Sequence, residues 1–258
     1  MFLKNKHAAL LLLIILLSPT ITMAQNSRVV ANQWNGWAMY FGNHKLSKKF
    51  SLHTEYQWRR SDVVINWQQS LTRIGLDYNV NDNVVTTAGY GFITTYAYGE
   101  QPVAFTFNEH RVWEQLMLKN KSGRFNFIHR FRLEHRWLEQ LKAGGDGNPV
   151  NNGYLYKNRA RYMFRVNIPL NKSSMEKGAL FISLYDEVFV NFGKNVNLNI
   201  FDQNRAYAAL GYQILKNANI QLGYMNQFIQ KSDGVHLERN NTLQLALTYN
   251  FDFTKKQK

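Results

Sequence analysis

The sequence contains no cysteine, and this absence excludes two classes of exported protein. Such a chain is neither a small scaffold held by disulfides nor a lipoprotein acylated on an N-terminal cysteine. Beyond the N-terminus it also lacks an apolar run of about eighteen residues, the minimum for a membrane-spanning helix. No Pro-rich, Gly/Ser-rich or charged linker divides it. We therefore expect one domain without disulfides and without a transmembrane helix.

Acidic residues are scarce, since 17 Asp and Glu face 31 Lys and Arg, for a formal net charge of +14. Strongly basic chains often bind nucleic acid or anionic membrane surfaces. Most arginines lie inside alternating segments rather than on one basic stripe, and no nucleic-acid motif is present, so we predict no nucleic-acid partner. Most lysines lie in short connections and in the C-terminal tail, namely Lys45, Lys48, Lys49, Lys119, Lys121, Lys172, Lys177, Lys216, Lys255, Lys256 and Lys258.

The N-terminus has the parts of a secretory signal peptide. Lys4 and Lys6 precede an apolar run at residues 8–17, and Thr22 and Ala24 occupy the small-residue positions of a cleavage site. We predict a signal peptide over residues 1–24 and a single mature domain over residues 25–258. Removal of Lys4 and Lys6 lowers the net charge from +14 to +12.

Alternation of apolar and polar residues, the period of a β-strand, recurs along the mature chain. At residues 50–60, for example, Phe50 and Tyr56 share one face, while Ser51 and Glu55 share the other. Many of these segments have about ten residues or more, the length that a tilted strand needs to cross a bilayer. The predicted strands cover residues 37–43, 50–60, 67–79, 84–96, 105–118, 124–137, 154–167, 179–192, 203–214, 219–230 and 241–253.

The connections favour a membrane barrel over a soluble β-sandwich, which would alternate in the same way. Short turns alternate with longer loops, as they do between the periplasmic and external ends of outer-membrane barrels. We therefore predict an all-β fold, a closed antiparallel up-and-down transmembrane β-barrel of about twelve strands in the outer membrane. Two aromatic girdles are predicted at the strand ends, one from Trp58, Trp67, Trp137, Tyr154 and Tyr156 and the other from Tyr78, Phe125, Tyr212, Tyr249 and Phe251.

Eleven predicted strands leave the count odd, whereas bacterial barrels normally have an even number of strands. Asn35-Gly36 is a strong signal for a two-residue hairpin. A hairpin there would divide residues 28–42 into two strands and bring the count to twelve. The alternative is an N-terminal segment that runs through or along the lumen.

Five stretches carry a resemblance to a known family: "NEHRVWEQL", "FRLEHRW", "LYDEVFVNFG", "NRAYAALGY" and the closing "LQLALTYNFDF". Together they resemble domain of unknown function 2490, a family of outer-membrane barrels of about this size. The resemblance implies fold and location, and it brings no activity or catalytic residue. The ending "LTYNFDF" also resembles the aromatic signal that the barrel assembly machinery recognises, although "TKKQK" follows it here. Outer-membrane lipid and that machinery are therefore predicted partners.

The polar face of the predicted strands is rich in arginine. An arginine at the bilayer midplane costs about 2 to 4 kcal/mol on the lipid face, so this face is assigned to the lumen. The inward set comprises Arg59, Arg73, Arg111, Arg130, Arg132, Arg136, Arg159, Arg161, Arg165 and Arg205, with Glu55, Asp77, Glu109, Glu134 and Glu187. As the candidate site we select Arg111, Arg130, Arg132, Arg136, Arg159, Arg161 and Arg165 to set an anion-binding field, ordered by Glu109, Glu134 and Glu187.

The register of the fifth and sixth predicted strands follows from the turn between them. A two-residue turn at Ser122-Gly123 sets Glu109 opposite Arg136 and Arg111 opposite Glu134, so that both pairs are oppositely charged. Arginine suits such a face because its planar fork binds carboxylates bidentately.

Three functions agree with this arrangement. The first is a porin-like channel or binding lumen for small anionic solutes. The second is a structural or assembly barrel whose Arg/Glu ladder fills the lumen, since twelve strands lie between filled and open barrels. Inward glycines fit either, because they widen a pore or make room for bulky neighbours: Gly75, Gly89, Gly91, Gly211 and Gly223.

The third is a lipid-modifying enzyme. Glu114 and His129 share the outward parity on neighbouring strands, directly opposite or one diagonal apart, and would form an acid/base couple, with His135 as a further candidate. No well-placed serine accompanies them, so no catalytic residue is assigned. No zinc-ligand spacing occurs, and residues 144–153 lack the spaced carboxylates of a calcium loop, so we predict no metal or cofactor and a mobile external loop there.

Overall fold

The computed structural model describes residues 28–254, which contain eleven β-strands. The predicted signal peptide at residues 1–24 lies outside the described residues. Within them, no helix is long and apolar enough to cross a membrane. The strands are β1 Val29–Lys45, β2 Phe50–Ser61, β3 Asn66–Asn79, β4 Val84–Thr95, β5 Phe107–Ser122, β6 Phe125–Ala143, β7 Pro149–Pro169, β8 Leu180–Phe192, β9 Phe201–Leu215, β10 Ala218–Gln230 and β11 His236–Tyr249.

The strands form one closed barrel. Each strand pairs antiparallel with its neighbours in the chain, which confirms the all-β barrel. The ring closes between β1 and β11, and these two strands are parallel, with Val29 opposite His236 and Phe41 opposite Thr248. An odd number of strands requires this parallel pairing, because the first and last strands of an up-and-down barrel with an odd strand count run in the same direction.

The predicted hairpin at Asn35-Gly36 is wrong, because β1 runs through both residues without a turn. Gly36 instead allows the close approach of the β2–β3 connection, since a Cβ on Gly36 would clash with the Val63 carbonyl oxygen. Strand pairing on both sides of β1 holds this segment extended. The lumenal path for the N-terminal segment is likewise wrong for residues 29–36, which belong to the barrel wall.

The two faces of the wall differ as predicted. On β2, Phe50 and Tyr56 are each 41% exposed on the outside, whereas Ser51 and Glu55 are 3% and 4% exposed toward the interior. The outside is predominantly apolar along every strand, and most of the buried side chains of the described residues are polar or charged. The barrel therefore has an apolar exterior and a polar interior, the reverse of the arrangement in a soluble protein.

The connections define two ends of the barrel. At the end that we call the turn end they cover residues 46–49, 80–83, 123–124, 170–179 and 216–217, and at the loop end residues 62–65, 96–106, 144–148, 193–200 and 231–235. The predicted mobile loop at residues 144–153 is wrong in extent. β6 continues to Ala143 and β7 begins at Pro149, so that only a tight turn remains, closed by the Asn148 amide donating to Asp146 Oδ1 at 3.1 Å.

Aromatic side chains cluster on the outside at both ends. At the loop end the rings of Trp58 and Trp67 meet edge to face with 6.1 Å between their centres, and those of Trp137 and Tyr156 lie 5.2 Å apart. At the turn end we define the turn-end belt as the outward rings of Phe50, Tyr78, Phe125, Tyr212, Tyr249 and Phe251, of which Tyr249 is half-buried and the others are exposed. Two belts separated by an apolar band match the interfacial girdles of transmembrane barrels.

Candidate functional site in the lumen

The lumen contains a cavity of about 630 Å³ that reaches both ends of the barrel. Its lining runs from Lys119 and Asn250 at the turn end to Tyr98 and Lys231 at the loop end. All ten arginines predicted to face inward lie on this cavity. Of the five predicted carboxylates, Glu134 is packed deepest, with 1% of its surface exposed. The predicted arginines therefore face the interior of the barrel, and their role in binding an anion stays a prediction.

Glu134 on β6 is the centre of the ionic network. Its carboxylate accepts hydrogen bonds from three arginines, at 2.6 Å from Arg159 Nη2, 2.7 Å from Arg161 Nη1 and 3.2 Å from Arg111 Nη1, and Arg73 Nη2 lies 3.5 Å away. A carboxylate without water contact needs such compensation, because desolvation of an unpaired charge is costly. The four arginines come from β3, β5 and β7, so Glu134 links three strands to its own.

The predicted register of β5 and β6 is wrong by two residues. The turn is Gly123-Arg124 rather than Ser122-Gly123, and Arg111 lies opposite Arg136. Gly123 has φ of 56°, the positive value that the first central position of a type II′ turn requires.

Both predicted ion pairs nevertheless form, along diagonals. Arg136 Nε lies 2.8 Å from Glu109 Oε1, and Arg111 reaches Glu134 as described. Long side chains reach diagonal as well as direct neighbours on the next strand, so the oppositely charged residues still meet after a shift in register.

Two more carboxylates complete the network. Glu187 Oε1 accepts from Arg130 Nη2 at 2.8 Å and from Arg161 Nη2 at 2.7 Å, so Arg130 finds its acid two strands away. Asp202, which the sequence analysis did not select, accepts from Arg159 Nη1 at 2.5 Å. Arg159 and Arg161 thus each bridge two acids.

Four inward arginines have no carboxylate within 4 Å among the described residues: Arg59, Arg132, Arg165 and Arg205. We call them the unpaired arginines. Neutral oxygens and aromatic rings hold them in place. Arg132 and Arg165 belong to the predicted site, whereas Arg59 and Arg205 were predicted to face inward but lie outside that set.

Arg59 and Arg132 are held in the same manner. Arg59 Nη1 donates to Gln69 Oε1 at 2.5 Å, and its guanidinium carbon lies 4.0 Å from the ring centre of Trp37. Arg132 donates through Nε and Nη2 to Gln115 Oε1, at 3.1 and 2.7 Å, and lies 4.5 Å from the ring centre of Trp113. A glutamine oxygen and a π face orient a guanidinium without neutralising it.

Arg205 and Arg165 have fewer partners still. Arg205 donates through Nε to Gln203 Oε1 at 3.1 Å, and its guanidinium lies 4.8 Å from the ring centre of Phe189. Arg165 lies 4.8 Å from the ring centre of Tyr185, and its Nε is buried without a hydrogen-bond partner among the described residues. Terminal guanidinium nitrogens of both residues remain available to the cavity.

Residues 96–106 fold inward at the loop end, and we call them the strap. The Tyr98 hydroxyl donates to Glu238 Oε2 at 3.0 Å, and Gln101 Nε2 donates to the Val29 carbonyl at 3.3 Å. Burial, followed by the Glu238 charge, raises the pKa of the Tyr98 hydroxyl, which therefore stays protonated and able to donate. The strap narrows the cavity at this end.

The predicted acid/base couple on the outside does not form. Glu114 lies opposite Leu133, and His129 lies opposite Leu118, so four residues separate them along the ladder. His129 Nδ1 is instead 2.9 Å from the Tyr162 hydroxyl. His135 Nδ1 is 2.8 Å from the hydroxyl of Tyr156, on the same outer face. Among residues 28–254 no cluster of three or more potential metal ligands occurs.

Comparison with known proteins places the chain in a family. Residues 34–240 match the family described as Protein of unknown function (DUF2490). The chain belongs to this family. A solved structure of the NanC porin is similar at 10% sequence identity, covering 78% of this chain and 89% of that chain with a TM-score of 0.43. No curated protein matches the chain significantly.

In this DUF2490 protein, sequence reasoning missed the side chains that hold the unpaired arginines. Trp37 on β1 and Phe189 on β8 are 3% and 0% exposed and face the lumen, on the same parity as the polar residues. The sequence pattern that could have indicated them is the presence of large aromatic residues on an otherwise polar strand face. The inward glycines make room for such rings, since a Cβ on Gly75 or Gly89 would lie 3.0 or 2.8 Å from Trp113. The same inward parity also carries the glutamines that orient the guanidinium groups.

Proposed function

We propose that this barrel spans the outer membrane and that its lumen binds or passes small anionic solutes. The observation that carries the proposal is the set of four unpaired arginines on the cavity wall. The outward apolar band and the two aromatic belts support the membrane location.

Charge balance explains why these arginines favour an anion. A buried guanidinium without a counter-charge is costly, and glutamine oxygens supply hydrogen bonds but no negative charge. A solute carboxylate or phosphate that enters the cavity supplies the missing charge. The planar fork of arginine binds such oxyanions bidentately, and Arg205 has both terminal nitrogens available.

The unpaired arginines are distributed along the height of the barrel. Arg59 lies two residues before the loop end of β2, and Arg205 lies four residues after β9 begins at that same end. Arg132 lies within β6, and Arg165 lies four residues before the turn end of β7. An anion therefore meets a cation at the mouth, in the middle and near the far end, whereas the Glu134 network holds the wall between them.

The test is ion selectivity in planar bilayers. Across a KCl gradient the wild-type barrel should give a reversal potential of the sign expected for chloride, and addition of a small dicarboxylate should reduce the chloride current. Replacement of Arg59, Arg132, Arg165 and Arg205 by glutamine should abolish this preference. A control with the same charge change outside the cavity, in which Arg28, Lys142, Lys177 and Lys194 become glutamine, should keep it.

Two results would overturn the proposal. A correctly folded barrel that conducts cations in preference to anions contradicts the role of the unpaired arginines. A folded barrel that neither conducts nor binds the dicarboxylate supports instead a structural or assembly barrel, in which the Arg/Glu network fills the lumen.

A further inference from the structure

The turn end of the barrel is strongly basic. Its connections and the adjoining strand ends carry nine exposed cations, which we call the basic rim: Lys45, Lys48, Lys49, Lys119, Lys121, Arg124, Lys172, Lys177 and Lys216. Within the described residues three acids share this end, Asp82, Glu176 and Asp252. Nine cations less three acids leave an excess of six positive charges.

The loop end is nearly balanced by comparison. In residues 28–254 its connections and strand ends carry six cations, Arg28, Arg60, Lys142, Lys194, Lys231 and Arg239, and five acids, Asp62, Glu100, Glu139, Asp146 and Asp233. The surface charge of the barrel is thus polarised along its axis. Neither the fold nor the lumen requires this polarity.

Most of the basic rim lies apart from the cavity. Of its nine cations, Lys119 alone lines the cavity. Lys45 and Lys121 lie at the ends of β1 and β5, on the inward parity of these strands. The other six lie in the connections between strands, where they can contact a ligand outside the channel path.

The rim lies directly against the turn-end belt. Lys49 Nζ is 5.4 Å from the ring centre of Tyr78 and 3.5 Å from its hydroxyl, on the outer surface. The Phe50 and Tyr78 rings lie 5.4 Å apart, and Arg124 immediately precedes Phe125. Belts of this kind lie at the level of the lipid headgroups, so the rim cations reach the depth of the lipid phosphates.

We propose that the basic rim binds anionic phospholipid headgroups. Lysine and arginine at the membrane surface attract anionic lipid in preference to zwitterionic lipid, and the attraction weakens within a Debye length as salt is added. The polarity of the barrel then favours the orientation that places the turn end in the more anionic leaflet. The proposal does not depend on transport through the lumen.

The experiment uses the full barrel in nanodiscs of equal parts phosphatidylglycerol and phosphatidylethanolamine. After extraction into mild detergent, native mass spectrometry counts the retained lipids of each kind. Wild type should retain phosphatidylglycerol in excess, and 500 mM salt during extraction should reduce that excess. Replacement of Lys48, Lys49 and Arg124 by glutamine should lower the excess at least fivefold, because each cation at an anionic surface contributes about fivefold in binding.

A matched variant separates position from net charge. Replacement of Arg28, Lys142 and Lys194 by glutamine at the loop end removes the same charge and should leave the lipid preference unchanged. The rim variant should also keep the wild-type reversal potential, so that this proposal and the proposed function can fail separately. Equal retention of both lipids by wild type, or equal loss in both variants, overturns the proposal and would direct attention to a soluble acidic partner.

Discussion

Replacement of Glu134 by glutamine removes the central charge of the lumen network while preserving its shape. The carboxylate is inaccessible to water and lies within 3.5 Å of guanidinium nitrogens of Arg73, Arg111, Arg159 and Arg161. A glutamine retains one acceptor oxygen, but its NH₂ group is a donor and would lie beside guanidinium groups, which are also donors and cannot accept. Several guanidinium nitrogens then lose their acceptor at once.

The expected cost follows from the pairs that remain. Removal of one partner from a buried ion pair costs about 3 to 5 kcal/mol, because it leaves an uncompensated charge. Arg73 keeps Glu55, Arg111 keeps Glu109, and Arg159 and Arg161 keep Asp202 and Glu187, so each arginine retains one acid. We therefore expect the free energy of unfolding to fall by about the value for one pair, 3 to 5 kcal/mol, rather than four times that value.

Urea unfolding from lipid vesicles, followed by tryptophan fluorescence, measures this difference. Glu114→Gln is the matched control on the neighbouring strand, because Glu114 is exposed on the outer face, and it should be neutral or slightly stabilising. In bilayers, Glu134→Gln should also increase the preference for anions. A loss below about 1 kcal/mol, as for an exposed pair, would show that the network does not hold the barrel together.

Two further predictions concern the loop end. Tyr98→Ala should raise single-channel conductance because it removes the strap residue that is hydrogen-bonded to Glu238. Tyr96→Ala is the control and should leave the conductance unchanged, because Tyr96 lies beside the outer ring of Trp67. Equal effects of the two substitutions would show that the strap does not narrow the channel. Backbone and side-chain hydrogen bonds from His236 hold the pKa of Asp233 at about 2, below its ordinary value. The stabilisation is therefore complete above about pH 4 and lost as pH falls toward 2. The protection factors of the amides in this turn, corrected for the intrinsic exchange rate at each pH, should fall only in that range. A fall already at about pH 5 would refute the assignment.

The faces of the strands could be predicted from the sequence because a period of two needs no knowledge of the partners. A midplane arginine is expensive in lipid, so the inward assignment of the arginines was equally secure. The pairing of Arg136 with Glu109 was also predictable, since long ionic side chains reach both the direct and the diagonal neighbour.

Features that depend on distant contacts could not be predicted. Asn35-Gly36 has the composition of a hairpin turn, but the strands on either side of β1 hold it extended, and those strands are far away in the sequence. The predicted couple of Glu114 and His129 does not form because their distance depends on the register of β5 and β6. Moving the turn by one residue shifts that register by two residues. Whether an arginine has an acid partner depends on strands up to three places apart, as for Arg73 and Glu134, and no local pattern in the sequence encodes this.

The parallel pairing of β1 with β11 places the first and last described residues at opposite ends of the barrel. Arg28 enters at the loop end, and Thr254 leaves at the turn end, so tags fused beyond them would lie on opposite sides of a membrane. A circular permutant would need a linker across the height of the barrel. For β11, with 14 residues, that height is about 35 Å at the usual rise and tilt, so at least about eleven linker residues are required.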